Sequence, residues 1–382
     1  MADRVVDCLE LEKDILELIL MRLRVIVDFI NFGAVCKTWR SVFLENRHRL
    51  SHLRHILIIP SNEKKEFQDF FRLSKKHFLT HRLEENGKWC VGSSEDCLIM
   101  IDFLLNISLV NPFTKTETPL PRLTSLSDIF SIRETGTGTI EYTRNMRAPI
   151  PGTCTLFHFT PKAYVQKAVM AGPYVFAILG YNYVIGFCRR DSYTWTHVGD
   201  VLFPLGFDDL VCYNGNFYAV DKYGHVVVVD VSGPHPTITK VATAIGGGIE
   251  SCKKYLVESY GELLMVGRRI DKMKYPRWTY GFLILRVDLN KHVCFPLEAL
   301  GDRMLFLGEN QSMSLFTRDF PGCERNCIYF IDEHETVKPY YILDGYLRVY
   351  NLEFGSIKPL YKRDWNWNWL SQWPICFTPK PW

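Results

Sequence analysis

Two regimes of hydrophobic patterning divide the chain. In the first, apolar residues recur at helical spacing. The run Ile15-Leu16-Glu17-Leu18-Ile19-Leu20-Met21-Arg22-Leu23 is apolar nearly all round, with Glu17 and Arg22 as its exceptions. An isolated surface helix carries one apolar stripe, so a helix like this one is buried on two sides. Asp14 is the expected N-cap, with Glu17 three residues on as its capping-box partner. Asp28 restarts a helix through Phe29, Ile30, Phe32 and Val35. Val35, Trp39, Val42 and Phe43 then follow i, i+4, i+7, i+8 spacing on a further helix, with Lys37 and Arg40 off the stripe. A segment of this size has a marginal core of its own. One face of the first helix therefore awaits a partner, or packs on the rest of the chain.

From about residue 88 the pattern becomes short apolar runs and period-two alternation. Cys97–Ile101 and Ile107–Val110 form one such unit, ending at Asn111-Pro112. Leu210–Tyr213, Phe217–Val220 and Val226–Asp230 form another, with turns at Asn214-Gly215 and Tyr223-Gly224. Tyr255–Val257, Leu263–Val266 and Phe282–Asp288 repeat the scheme around Tyr260-Gly261, as do Ile328–Asp332 and Leu347–Asn351 further on. The shared logic is strand, Gly turn, strand, then an apolar strand closing on Asp or Asn. A further strand often ends in Pro-Leu, at Pro119-Leu120, Pro296-Leu297 and Pro359-Leu360. Antiparallel units recurring at near blade length without intervening helices predict a β-propeller. A pair of β-sandwiches is the runner-up. The stretch Thr135–Ala148 reads as a loop insertion.

Composition narrows the class. Of 382 residues, 47% are hydrophobic and 23% charged, which fits a folded globular chain. The 14% aromatic share leans towards β structure. A net charge of +3 is too small to argue for nucleic acid. Twelve cysteines lie scattered, mostly inside apolar runs, and Met1–Glu10 does not read as a signal peptide. These cysteines are expected to be reduced and buried, and the protein to reside in cytoplasm and/or nucleus. No apolar run approaches the roughly 20 residues a membrane span requires, so no membrane partner is expected.

Candidate chemistry is sparse. Gly136-Thr137-Gly138-Thr139 lacks the third Gly of a dinucleotide loop and the Gly-Lys-Ser/Thr of a P-loop, and reads as a turn. Gly246-Gly247-Gly248 reads as an inter-strand loop. Cys323, Cys327 and His334 have no second pair at zinc spacing, so no metal or other cofactor is expected. Arg268, Arg269, Lys272, Lys274 and Arg277 cluster with Tyr275 and Trp278. Such a cluster suits nucleic acid or an acidic peptide, but a solvated hairpin loop is the more common meaning. Trp365, Trp367 and Trp369 share one strand face, either as a binding hot spot or, with more weight, as core where the ring closes.

Two blocks carry a family resemblance. Leu11-Glu12-Lys13-Asp14-Ile15-Leu16 through Leu23, with Phe32-Gly33-Ala34-Val35-Cys36-Lys37-Thr38-Trp39-Arg40-Ser41, resembles an F-box. Gly92-Ser93-Ser94, Leu109–Thr114, Leu305–Gly308, Asp319–Gly322, Asn326–Phe330 and Phe377-Thr378-Pro379 together resemble the KIB-type β-propeller of plant F-box proteins. The resemblance implies a mainly β chain: an all-α F-box module at 1–50, a connector or first propeller strand at 51–87, and a propeller of about six or seven blades at 88–382.

It also implies a role without catalytic residues. The F-box binds a Skp-type adaptor, and through it a cullin and a RING subunit, in an SCF ubiquitin ligase. The propeller binds a protein target that the sequence does not name. Carried over by position, the adaptor face comprises Leu11, Ile15, Leu16, Ile19, Leu23, Val35, Cys36 and Trp39. F-boxes usually carry Leu-Pro at the start, where this chain has Leu11-Glu12, and often a Pro after the first helix, where it has Arg24-Val25. The alternatives are a propeller interaction module that no longer engages the adaptor, and a propeller hydrolase needing paired carboxylates, for which Glu250, Glu258 and Glu262 are the candidates.

Overall fold

The computed structural model describes residues 11–23, 26–46, 56–60, 68–72, 77–81, 88–94, 97–112, 114–123, 126, 129–134, 140–146, 152–156, 164–180, 183–198, 206–233, 235–245, 248–271, 273, 278–320, 322–332, 346–361 and 375–377. Three helices come first: α1 (Lys13–Arg22), α2 (Ile26–Ala34) and α3 (Lys37–Asn46). The expected cap differs. Glu12, not Asp14, is the N-cap residue of α1, and its side chain makes no capping bond. Asp14 lies in the first turn, where its charge suits the helix dipole. Likewise α2 begins at Ile26, with Asp28 inside its first turn, and Val35 falls between helices.

Among the described residues, all further elements are strands, apart from a short 3-10 turn. Strands β1 (Ile56–Pro60), β2 (Gln68–Arg72) and β3 (His77–His81) lie in the segment expected to be a connector or first strand. They are followed by β4 (Lys88–Ser94), β5 (Cys97–Asp102), β6 (Ile107–Val110) and β7 (Glu117–Pro119), which form one antiparallel sheet. Then come β8 (Ile129–Glu134), β9 (Ile140–Met146) and β10 (Gly152–Leu156), a three-stranded sheet. The expected loop at Thr135–Ala148 is thus corrected: its described residues, Ile140–Met146, are strand. Its short, polar-rich alternation resembles turn composition, and cross-strand pairing decides the matter.

Three more sheets follow the same up-and-down order: β11 (Val165–Ala171) to β14 (Thr196–His197) through β12 (Tyr174–Leu179) and β13 (Val184–Arg189); β15 (Phe207–Tyr213) to β18 (Thr237–Ala244) through β16 (Asn216–Asp221) and β17 (His225–Asp230); and β19 (Lys253–Ser259) to β22 (Val293–Pro296) through β20 (Glu262–Ile270) and β21 (Thr279–Asp288). The last is irregular. Strands β23 (Arg303–Leu307), β24 (Met313–Phe316), β25 (Cys327–Asp332), β26 (Tyr346–Asn351) and β27 (Ser356–Tyr361) pair in the order β24-β23-β25-β26-β27, with β23 and β25 parallel. The final strand, β28 (Ile375–Phe377), pairs with β1.

Contacts between first-edge strands set the ring order: β28 with β4, β4 with β11, β11 with β15, β15 with β19, and β19 with β24. Among the described residues this makes six blades, the smaller of the two expected numbers. The β8–β10 sheet stands outside the series, because β4 meets β11 directly. One blade takes strands from both ends of the chain, so residues 375–377 and 56–58 tie the ring together. At the rim, β18 and β22 pair in parallel at Thr243↔Val293 and Ala244↔Cys294, joining two blades into one eight-stranded sheet.

Local chemistry explains the repeat. Inner and middle strands pack between neighbouring blades on both faces, so β6, β12 and β16 are buried almost throughout and read as continuous apolar runs. Outer strand β7 is exposed. The Asp or Asn that closes a strand turns the chain. Asp102 Oδ1 accepts from the Leu104 and Asn106 N–H groups, Asp221 Oδ1 from Tyr223 and His225, Asp288 Oδ1 from Asn290 and Lys291, and Asn351 Oδ1 from Glu353 and Phe354. Each is an Asx turn at the end of a strand. The Asn214-Gly215 hairpin has φ of 49° and 77°, the type I′ geometry that Asn-Gly favours.

Charged groups also join blades. Buried Lys167 on β11 donates to buried Asp209 on β15. Asp209 Oδ1 accepts from the Leu210 N–H at 2.8 Å and Oδ2 from the Leu256 N–H of β19 at 2.7 Å. One carboxylate thus links three consecutive blades. Burial pushes its carboxyl above the usual range, against the opposing pull of Lys167 and the two N–H groups. Buried Lys254 donates to Asp208 Oδ2 at 3.1 Å and to the carbonyls of Lys222 and Cys252 at 2.8 and 2.9 Å.

Candidate functional site

The helical module has its own core. Leu16, Leu20, Phe29, Phe32, Val42 and Phe43 are buried together, with Leu11, Ile19, Leu23 and Trp39 packed half-buried against them. Phe29 tilts onto Phe43 at 4.6 Å between ring centroids, and Phe32 onto Trp39 at 4.5 Å. A Cβ on Gly33 would lie 2.9 Å from Phe43 Cγ, so the glycine lets α2 and α3 approach closely. At the surface Lys13 on α1 pairs with Glu45 on α3 at 2.5 Å, and Ser41 also donates to Glu45. These contacts hold Glu45 below and Lys13 above their ordinary values.

The core leaves one side of α1 uncovered. Ile15 is 44% exposed, Leu18 59% and Met21 49%. Leu16, Leu20 and Leu23 lie on the other side, at i, i+4, i+7. Val35, between α2 and α3, is 48% exposed, and Leu44 on α3 is open as well. The eight expected docking residues therefore divide. Ile15 and Val35 are exposed, while Leu11, Ile19, Leu23, Cys36 and Trp39 are half-buried. Leu16 is fully buried and faces the module's own core, which corrects its placement on the open face. Leu18, Met21 and Leu44 were not among the eight expected docking residues. A helical wheel separates the two apolar sides of α1, but only packing says which side the module keeps for itself.

This face has the chemistry of an interaction surface: apolar side chains on a short, braced helix pair, rimmed by charge. Elsewhere the candidate chemistry resolves into structure. Glu262 accepts from Arg303 at 2.7 Å and from Arg286 at 3.3 Å, and Arg303, its largest influence, holds it below the ordinary carboxyl value. Glu258 Oε1 accepts from the Gly261 N–H at 3.0 Å, and Glu250 is exposed.

In the basic cluster, Arg268 is buried, donates to Thr279 Oγ1 and lies over the Phe330 ring. Trp278 lies under the Arg348 guanidinium at 4.4 Å. Lys272, Lys274, Tyr275 and Arg277 lie outside the described residues, as do the Trp365–Trp369 face, His334, Gly136–Thr139 and Gly246-Gly247. Cys327 is buried, and burial pushes its thiol up to about 11.

Comparison with known proteins covers most of the chain. The family model described as KIB1-4 beta-propeller matches residues 70–351. F-box protein SKIP23 of Arabidopsis thaliana is 29% identical over 363 residues, spanning 85% of this chain and 84% of that protein. Putative F-box protein At5g55150 of the same plant is 26% identical over 348 residues, spanning 89% of each. F-box protein At2g17036, also from that plant, is 27% identical over 339 residues, spanning 83% of this chain and 81% of that protein.

Proposed function

The chain is a plant F-box protein of the KIB1-4 β-propeller family, and on that premise we propose that it is the target-recognition subunit of an SCF-type ubiquitin ligase. The helical module docks on a Skp-type adaptor, which brings the cullin and RING subunits. The propeller holds a target protein. The observation that carries this reading is the open side of α1, where Ile15, Leu18 and Met21 present apolar surface that the module's own core leaves uncovered. Each is half-exposed already, so covering all three contributes on the order of 3–5 kcal/mol gross, before association costs. Val35 is exposed as well, and Leu11, Ile19, Leu23, Cys36 and Trp39 are half-buried. Leu16 serves it indirectly, by filling the core beneath.

The Glu12 departure is compatible with this role. Its backbone sits at φ −61° and ψ 148°, and that φ is the one a proline ring would fix. The module thus keeps the geometry and lacks only the pre-set backbone. The protein's contribution to ubiquitin transfer is positional: target lysines are held near a charged conjugating enzyme, so an encounter in solution becomes an event within one complex. No step passes through an acid, base or nucleophile of this chain. Among the described residues, no helix is long and apolar enough to cross a membrane. Cytoplasm and nucleus, where that machinery works, are the proposed compartments.

Co-purification of the full chain with a Skp-type adaptor tests the reading. Ile15→Asp and Leu18→Asp are expected to abolish capture while helical and β circular dichroism stay unchanged. Adaptor retained by the double variant at the wild-type level overturns it.

A further inference from the structure

Strands β15 and β19 open neighbouring blades with equivalent two-residue hairpins. In the first the turn is Asn214-Gly215; in the second it is Tyr260-Gly261, with φ of 52° and 84°. Asn tolerates the left-handed region, whereas a bulky aromatic there is strained. Strain of this kind persists where the surroundings fix it, and it often marks a functional position. The surroundings do fix Tyr260. Its ring tilts onto Phe316 at 4.0 Å between centroids, and its hydroxyl accepts from the Phe316 N–H at 3.1 Å. Tyr213 donates to the Gly261 carbonyl at 2.7 Å, bracing the turn from the blade before. Even so, Tyr260 stays 50% exposed. The exposed Arg318 lays its guanidinium over the other ring of the pair, 4.4 Å from the Phe316 centroid.

Charge around this ring pair is unevenly matched. Glu258 is taken by the Gly261 N–H, Glu262 by Arg303 and Arg286, and Asp302 by Arg325 at 3.6 Å. Among the described residues, no carboxylate pairs with Arg318. We propose that Tyr260, Phe316 and Arg318 form the propeller's target-capture site, and that its occupant is an acidic peptide segment. A carboxylate of that segment pairs with the Arg318 guanidinium, and a neighbouring aliphatic side chain lies on the Tyr260 ring. Tyr and Arg anchors held in advance of binding are the composition of an interface hot spot. A nucleic acid strand fits less well, because backbone binding draws on several cations, and Arg286, Arg303 and Arg325 are each occupied by a carboxylate. The proposal rests on the reading of the propeller as target receptor.

The test uses the full chain bound to its adaptor. A phage-displayed random dodecapeptide library is panned on the complex, and the best recovered peptide is measured by fluorescence polarisation. Recovered sequences are expected to place Asp or Glu beside Leu, Ile or Phe. Arg318→Glu, Tyr260→Asn and an Asn-for-Asp peptide are each expected to weaken binding about tenfold or more. Tyr260→Asn restores the residue the turn prefers, so loss of binding there is not loss of fold. The proposal is overturned by failure to enrich any peptide, by enriched peptides lacking acids, by undiminished binding to Arg318→Glu, or by an oligothymidine probe that binds as tightly and with the same sensitivity. Adaptor retention by Arg318→Glu is read in parallel, so failure of the adaptor reading and failure of this site are separately visible.

Discussion

Gly92 on β4 lies so close to Ala168 on β11 that a Cβ at position 92 would fall 1.9 Å from the Ala168 carbonyl oxygen. The register of β4 on β5 shifts between Cys90 and Gly92, and Val91, the residue passed over, is buried in the core shared by the two blades. The bulge and the glycine together set how near two inner strands come. Gly92→Ala is expected to cost about 3 kcal/mol or more, since backbone must move to admit the methyl. Gly281→Ala is the control, because its nearest neighbour beyond the adjoining residues is the Tyr350 hydroxyl at 3.8 Å. Equal thermal midpoints for the two variants would show that the blades slide apart freely.

Lys167→Met is expected to destabilise the propeller by roughly 3–5 kcal/mol, because it leaves the Asp209 carboxylate buried without its cation. Asp209 would keep only the Leu210 and Leu256 N–H groups. Urea unfolding followed by tryptophan fluorescence measures the change. A shift below about 1 kcal/mol would mean that the pair behaves as a surface contact.

Glu12→Pro is expected to stabilise the helical module by about 0.4–1 kcal/mol, because the native φ already suits proline and the unfolded chain loses freedom. The helical signal at 222 nm during thermal unfolding reports it. Unchanged or lower stability would show that the Glu12 N–H or side chain matters in a way the backbone angle does not reveal.

Acid should loosen the junction of β19, β20 and β23 selectively. Arg303 joins Ser259 Oγ at 2.9 Å and Glu262 at 2.7 Å, and holds the Glu262 carboxyl below its ordinary 4.5. A carboxyl depressed in the folded state contributes stability that is complete above its unfolded value and fades as pH falls through its folded one. Stability therefore drops as pH is lowered below about 4.5, and Glu262→Gln removes that part of the slope. Parallel acid-unfolding curves for wild type and variant would refute this assignment.

Much of this architecture was legible in residue order. The Asp and Asn that end apolar runs are visible in the sequence, and Asp102, Asp221, Asp288 and Asn351 each turn the chain by bonding their neighbours' N–H groups. Such interactions span two to four residues, so local sequence determines them. The three helices follow likewise from spacing, and their resemblance to an F-box is local too. What spacing does not carry is direction. Leu16 and Ile15 are adjacent and equally apolar, yet one is fully buried and the other 44% exposed. Only the packing of α2 and α3 chooses between them. Tertiary structure alone also decided that residues 129–134, 140–146 and 152–156 pair as strands, that β4 meets β11 across that insertion, and that β28 returns to β1. These arrangements join residues far apart in sequence, where the entropy of closing a long loop is offset only by a surface that both partners build together.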